Sequence, residues 1–250
     1  MNLEPNDTTP GIDHGLAAHG PADHGLAARA AVHHALADVH RLRIVDALQL
    51  SDRTPSALAA QLGLASNLLA FHLDVLEAAG LIDRARSEGD ARRRYVRLRP
   101  EALTTITAVP DDGQGRLRAD DVLFVCTANS ARSQLAAALW ERSTGLPARS
   151  AGADPAATVH PLARDVAGAH GLDLTDRRPR GYDAVTVAPD LVVSVCDRAN
   201  EAGLPFDVPR LHWSIPDPVG HGRGAIEAAY EELSIRVAWL AAGRLREPAA

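Results

Sequence analysis

Residues 122–134 read VLFVCTANSARSQ: a run of apolar and β-branched side chains ends in a cysteine, and an arginine follows six positions later. Residues 122–125 read as a buried strand and residues 134–144, QLAAALWERST, as a helix, so 126–133 form the strand-to-helix turn. Such a turn aims backbone N–H groups inward and adds the positive end of a helix. It is a nest for a tetrahedral oxyanion, built here from Thr127, Ala128, Asn129, Ser130, Ala131 and Arg132. Arg132 adds a bidentate fork for the same anion, and Cys126, held beneath that field, is expected to be a thiolate nucleophile at neutral pH. A small buried residue closing a core strand is the commoner fate of a lone cysteine, but it leaves the Cys-x5-Arg-Ser spacing unexplained. The Gly-Lys-Ser/Thr element of a nucleotide-binding Walker loop is absent, and all 26 basic residues are arginine.

Outward from this loop the chain alternates strand and helix. Strands are expected at 148–151, 191–196 and 209–213, and helices at 161–171 and 224–245. That order predicts an α/β domain over 120–250, with a four-stranded parallel sheet, helices on both faces and the Cys126 loop at the carboxyl end of its first strand.

Upstream the pattern changes. Residues 31–50 carry apolar residues at helical spacing, Thr54 and Pro55 start a second helix, Gly63 marks a turn, and a third helix opens at Ser66 and closes at Gly80. Residues 81–98 read as two strands around Gly89, so 26–104 is a mainly α winged helix-turn-helix domain. Its third helix offers Ser66, Asn67 and His72 to DNA bases, and its wing concentrates Arg84, Arg86, Arg92, Arg93 and Arg94 for phosphates. Residues 105–119 read as a linker and 1–25 as a disordered tail.

The 250 residues and 46% apolar content suit two modest domains. Two cysteines make no disulfide framework, which points to a reducing, cytoplasmic setting, and no apolar run approaches bilayer length. His14, His19, His24, His33, His34 and His40 lack accompanying thiolates or an ordered carboxylate cluster, so no metal site is expected.

Residues 120–245 resemble the low-molecular-weight tyrosine phosphatase superfamily and, within it, the thiol-dependent arsenate reductases. The likeness lies in Cys-x5-Arg-Ser, in Gln134 where phosphatases usually carry proline, in SAGADPA at 150–156 with HPLA at 160–163, and in HWSIPDPVG at 212–220, which lacks the tyrosines that follow Asp-Pro in phosphatases. Ala128 stands where glycine is usual, and a positive φ there would be strained. The resemblance implies that Ser133 donates to the Cys126 sulfur, Asn129 holds the loop, Arg132 binds the anion, and Asp217 acts as general acid. Residues 27–98 resemble the arsenical-resistance repressor (ArsR) family in RLRIVDAL at 41–48, SALAAQLGLASNLLAFHLDVLEAAGLI at 56–82 and the arginine-rich wing, which implies DNA binding and a homodimer, with 31–50 in the interface. This domain lacks the cysteines with which arsenic-sensing relatives bind arsenite.

Cys196 matches the resolving cysteine of thioredoxin-coupled reductases, whereas Gly203 stands where those enzymes carry a third cysteine. Two routes follow. Either Cys126 and Cys196 form a disulfide that a redoxin reduces, or a small thiol such as mycothiol or glutathione attacks the adduct and Cys196 is structural. No bound cofactor is implied. A phosphatase and an oxyanion-responsive regulator without turnover are the other readings of the same residues.

Overall fold

The computed structural model describes residues 21–99 and 119–242; positions 1–20 of the expected tail and 105–118 of the expected linker lie outside them. Residues 21–25, expected in the tail, belong instead to helix α1 (Pro21–Leu36). The helix expected over 31–50 is two helices. The Asp38 carboxylate accepts the N–H groups of His40 and Arg41 at 2.9 and 3.0 Å, and so starts α2 (Val39–Leu50) afresh. Thr54 caps α3 (Pro55–Leu62), whose first residue is the proline, and Gly63 ends it at φ 65°. Helix α4 (Ser66–Ala78) then leads into the hairpin of β1 (Ile82–Arg86) and β2 (Arg94–Leu98). Ile44, Leu48, Leu58, Leu69, Leu73 and Leu76 fill the core of this winged helix.

The second domain runs β3 (Val122–Cys126), α5 (Arg132–Thr144), β4 (Ala148–Gly152), α6 (Pro161–Ala169), β5 (Leu191–Ser194), α7 (Asp197–Ala202), β6 (Arg210–His212) and α8 (Gly222–Ala241). The four strands are parallel in the order β4-β3-β5-β6. All five residues of β3 are buried, as expected of a strand covered on both faces. One face carries Val122, Phe124, Leu191 and Val193 against α5, α6 and α8. The other is thinner: Leu123, Val125, Ala151 and Val192 pack on Leu204, Tyr182, Val185, Phe206 and Val208, from a 3-10 turn and loops rather than long helices. Because β4 and β5 flank β3 on opposite sides, the order reverses at the carboxyl end of β3, which is where open sheets hold ligands.

The two domains share a polar joint. Asp52 N–H donates to the His212 carbonyl at 2.7 Å and His212 N–H to Ser51 Oγ at 2.9 Å, so the α2–α3 connection covers the edge strand β6. Ser214 N–H donates to Asp52 Oδ2 at 2.6 Å, and Arg236 of α8 meets Asp52 Oδ1 at 3.0 Å and Glu232 at 2.9 Å. The Asp52 side chain is fully buried and that of Arg236 is 6% exposed. Attraction to Asp52 and Glu232 keeps Arg236 charged despite its burial. Ile235 and Trp239, also on α8, lie against the winged-helix core. Among the described residues no single helix is long and apolar enough to cross a membrane.

Candidate active site

The turn after β3 is held from outside by residues 153–160. The carbonyls of Cys126, Thr127, Ala128 and Ser130 accept the N–H groups of Ala153, Asp154, Ala156 and His160 at 2.8–3.3 Å. With these carbonyls drawn outward, the loop's N–H groups are left to line its concave side. The segment approaches closely enough that a Cβ on Gly152 would lie 2.4 Å from the Thr127 carbonyl oxygen, so glycine is required there. The positive φ falls at Asn129, at 48°, and not at Ala128, so alanine at 128 carries no such strain. Asparagine tolerates this backbone, and its side chain shows why it is used.

Asn129 Nδ2 donates to Ser133 Oγ at 2.8 Å, its Oδ1 accepts the Arg180 N–H at 2.8 Å, and Gln134 Nε2 donates to its carbonyl and Oδ1 at 3.0 and 3.1 Å. Because Ser133 Oγ accepts from Asn129, its own proton is free to point at Cys126 Sγ, 3.0 Å away. Asn129 N–H reaches the same sulfur at 3.2 Å. Two donors thus converge on Sγ, an arrangement that stabilises negative charge there.

Arg132, 6% exposed at its side chain, starts α5 and points along the loop. Its NH1 donates to the Ile215 carbonyl at 2.8 Å and its NH2 lies 3.1 Å from Asp217 Oδ1. Asp217, far from the loop in sequence, is therefore joined through Arg132 to the turn that carries Cys126 and Ser133. Cys196 joins them from the end of β5: its sulfur is 3.5 Å from Thr127 Oγ1 and accepts the Ala199 N–H at 3.4 Å. Burial, and next the charge of Cys126, push the Cys196 thiol up. Gly203 ends α7 at φ 86°, a backbone that a cysteine adopts only with strain.

The sequence reading missed Glu88, at the wing tip. Asp217 N–H donates to both Glu88 oxygens, at 2.8 and 3.0 Å, and Glu88 Oε2 lies 3.5 Å from Arg132 NH1. Behind it, Glu88 N–H donates to Asp197 Oδ2 at 2.9 Å, while Ser87, Asp90 and Tyr95 all hydrogen-bond to Glu201 on α7. Burial opposes charge on Asp197, but hydrogen bonds from His212, Glu88 N–H and Ser214 together hold its carboxyl below the usual range. Burial and the neighbouring Glu201 push Tyr95 up to about 12. A serine, an acid and a glycine in a hairpin turn carry no sign of contacts more than a hundred positions away. The one available hint was Gly89, where a Cβ would meet Glu201 Oε2 at 2.3 Å.

The residues expected to face DNA are scattered in character. Ser66, Asn67 and Arg86 are exposed. His72 is not: at 4% exposure it lies beneath α4, its ring against His40 and 3.7 Å from Asp38, because its helical position points into the bundle. It cannot read a base there. Arg84 is paired with Asp74 and Glu77, while Arg92 and Arg93 lean on Asp90; Arg94 is exposed. Among the described residues no group of three or more His, Cys, Asp or Glu is placed to hold a metal ion.

Residues 121–248 match the family model described as low molecular weight phosphotyrosine protein phosphatase, and residues 36–85 match a helix-turn-helix domain model. An arsenate reductase of Bacillus cereus strain AH187 is 32% identical over 121 residues, which span 46% of this chain and 90% of that protein. One from Brevibacillus brevis is 31% identical over the same coverage. Among solved structures, an arsenate reductase from Archaeoglobus fulgidus is 34% identical, with 48% of this chain and 98% of that one covered at a TM-score of 0.44.

Proposed function

The chain belongs to the low molecular weight phosphotyrosine protein phosphatase family, as an enzyme domain fused behind a helix-turn-helix domain, and we propose that it reduces arsenate to arsenite with Cys126 as nucleophile. Cys126 sulfur attacks arsenic, and Asp217 protonates the departing oxygen, which leaves as water. The loop N–H groups and Arg132 hold the charge that develops on the remaining oxygens. A thiolate adduct of arsenic(V) remains on Cys126.

One observation supports the choice of reduction over hydrolysis: Cys126 ends β3 and Cys196 lies just past the end of the adjacent parallel β5, at the cap of α7, with the strands paired through Val125 and Ser194 and Thr127 Oγ1 3.5 Å from the Cys196 sulfur. Cys196, kept protonated by burial beside a charged sulfur, gives up its proton and attacks the Cys126 sulfur once the adduct has formed. The Cys126–arsenic bond breaks, its electron pair stays on arsenic, and arsenite leaves as the two thiols become a disulfide. A redoxin or small thiol of the thioredoxin, glutathione or mycothiol type then returns the two electrons. With Gly203 on a left-handed backbone at the end of α7, a third protein thiol takes no part.

The winged helix is read as a DNA-binding and dimerising unit in the cytoplasm, with Ser66, Asn67, Arg86, Arg92, Arg93 and Arg94 towards the duplex. Helix α2, where Val39 and Leu42 are exposed, belongs to the dimer face in this reading. The decisive experiment is arsenite release from arsenate with each reductant in turn. Cys126→Ser abolishes it, and Cys196→Ser abolishes it with thioredoxin if the disulfide route operates. Turnover of an aryl phosphate without any arsenite would replace reduction with phosphatase chemistry; silence in both would leave an oxyanion-responsive regulator.

A further inference from the structure

We infer that Glu88, carried in by the winged-helix domain, is a specificity-determining residue of the Cys126 site: it roofs the position of the leaving group and restricts the site to small inorganic oxyanions. The inference builds on the oxyanion reading of the loop and names the substrate class that the loop admits.

Three observations place Glu88 there. Its carboxylate is tied to the backbone of Asp217, the acid that must stand beside the departing oxygen. It approaches Arg132, the only guanidinium ion-paired to Asp217 among the described residues. And it is tethered from behind on both sides, by Asp197 at its N–H and by Arg198 Nε at its carbonyl, 3.2 Å away. Around it Glu201 holds Ser87, Asp90 and Tyr95, so the roof is a docked hairpin and not a single swinging side chain. Gly89 lets the hairpin settle, since any larger residue would strike Glu201.

The consequence follows from size and charge. In arsenate or phosphate the departing group is a single oxygen, which needs little room beside the Arg132–Asp217 pair. In an aryl or peptidyl ester that oxygen carries a ring, and the ring must leave through the volume that Glu88 and its hairpin occupy. The carboxylate also sets a negative charge beside Arg132, which weakens the binding of every anion. Replacement by glutamine removes that charge and keeps the volume; replacement by alanine removes both.

The test is calorimetric and needs no turnover. In full-length Cys126→Ala protein, dissociation constants are measured for inorganic phosphate, arsenate and phenyl phosphate. With Glu88 present, phenyl phosphate binds at least tenfold more weakly than phosphate. Glu88→Ala narrows that ratio by tenfold or more, whereas Glu88→Gln tightens all three ligands together and leaves the ratio in place. Glu201→Ala, which loosens the hairpin from outside the pocket, narrows the ratio in the same direction by a smaller factor. A ratio unchanged in Glu88→Ala, with its melting temperature preserved, overturns the inference while leaving the oxyanion site standing. Failure of every anion to bind overturns both.

Discussion

The Cys126 loop and the joint between the domains are built from the same materials, buried polar groups in satisfied networks, yet they differ in how far apart their residues lie in the chain. In the loop, Cys126, Asn129, Ser133 and Gln134 satisfy one another within nine consecutive residues. In the joint, Asp52 meets Arg236 and Ser214 across more than 160 positions, and Glu88 meets Asp217 across 129. The loop's inner network is a local solution, set as the chain turns from strand to helix and braced from outside by residues 153–160 and Arg180. The joint exists only when two separately packed cores have been brought together, so perturbing one need not disturb the other.

The largest expected effect breaks the joint and spares the loop. Arg236→Ala leaves the Asp52 carboxylate buried and uncompensated, which should lower stability by about 3–5 kcal/mol. Urea unfolding should show it, and a midpoint within error of the parent would mean that the pair is not closed in solution. Gly152→Ala does the reverse. Its Cβ would press on the Thr127 carbonyl and spread the loop, weakening phosphate binding about tenfold, or about 1.4 kcal/mol, while the cores stay intact. Equal phosphate affinity with and without the methyl group would show that residues 153–160 do not set the loop's shape.

The smallest effect sharpens the contrast by pH. Asp197 is held below its ordinary value of 3.8, so its contribution to stability is present above that value and is lost as pH falls through the folded-state value. Asp197→Asn should therefore melt lower at neutral pH by roughly 1 kcal/mol, and the gap should close as pH drops below about 4. A gap that stays constant across that range would assign Asp197 a packing role alone.

What was legible follows the same division. The Cys-x5-Arg-Ser spacing, the strand before it and the helix after it pointed to the candidate site, and the Asp-Pro loop pointed to Asp217, which meets Arg132. Glycine is usual at position 128, but the loop's positive φ is not there. It lies at Asn129, whose side chain replaces glycine's freedom with three hydrogen bonds, a trade visible only once Ser133, Gln134 and Arg180 surround it. His72 looked polar and available at its place in α4, but one-dimensional spacing does not show that this position turns onto His40 and Asp38. The wing read as a basic hairpin for DNA. Its arginines are largely engaged by nearby acids, and its tip belongs to the other domain.

The sequence by itself determined the two domains, the order of their elements and the reactive loop, because each depends on periodicity, capping and short-range spacing that neighbouring residues impose on one another. Only the tertiary structure decided that the wing tip meets Asp217 and Arg132 and that Arg236 is buried against Asp52. Those contacts arise from the way two finished surfaces meet, and no residue along the chain encodes its partner on the other side.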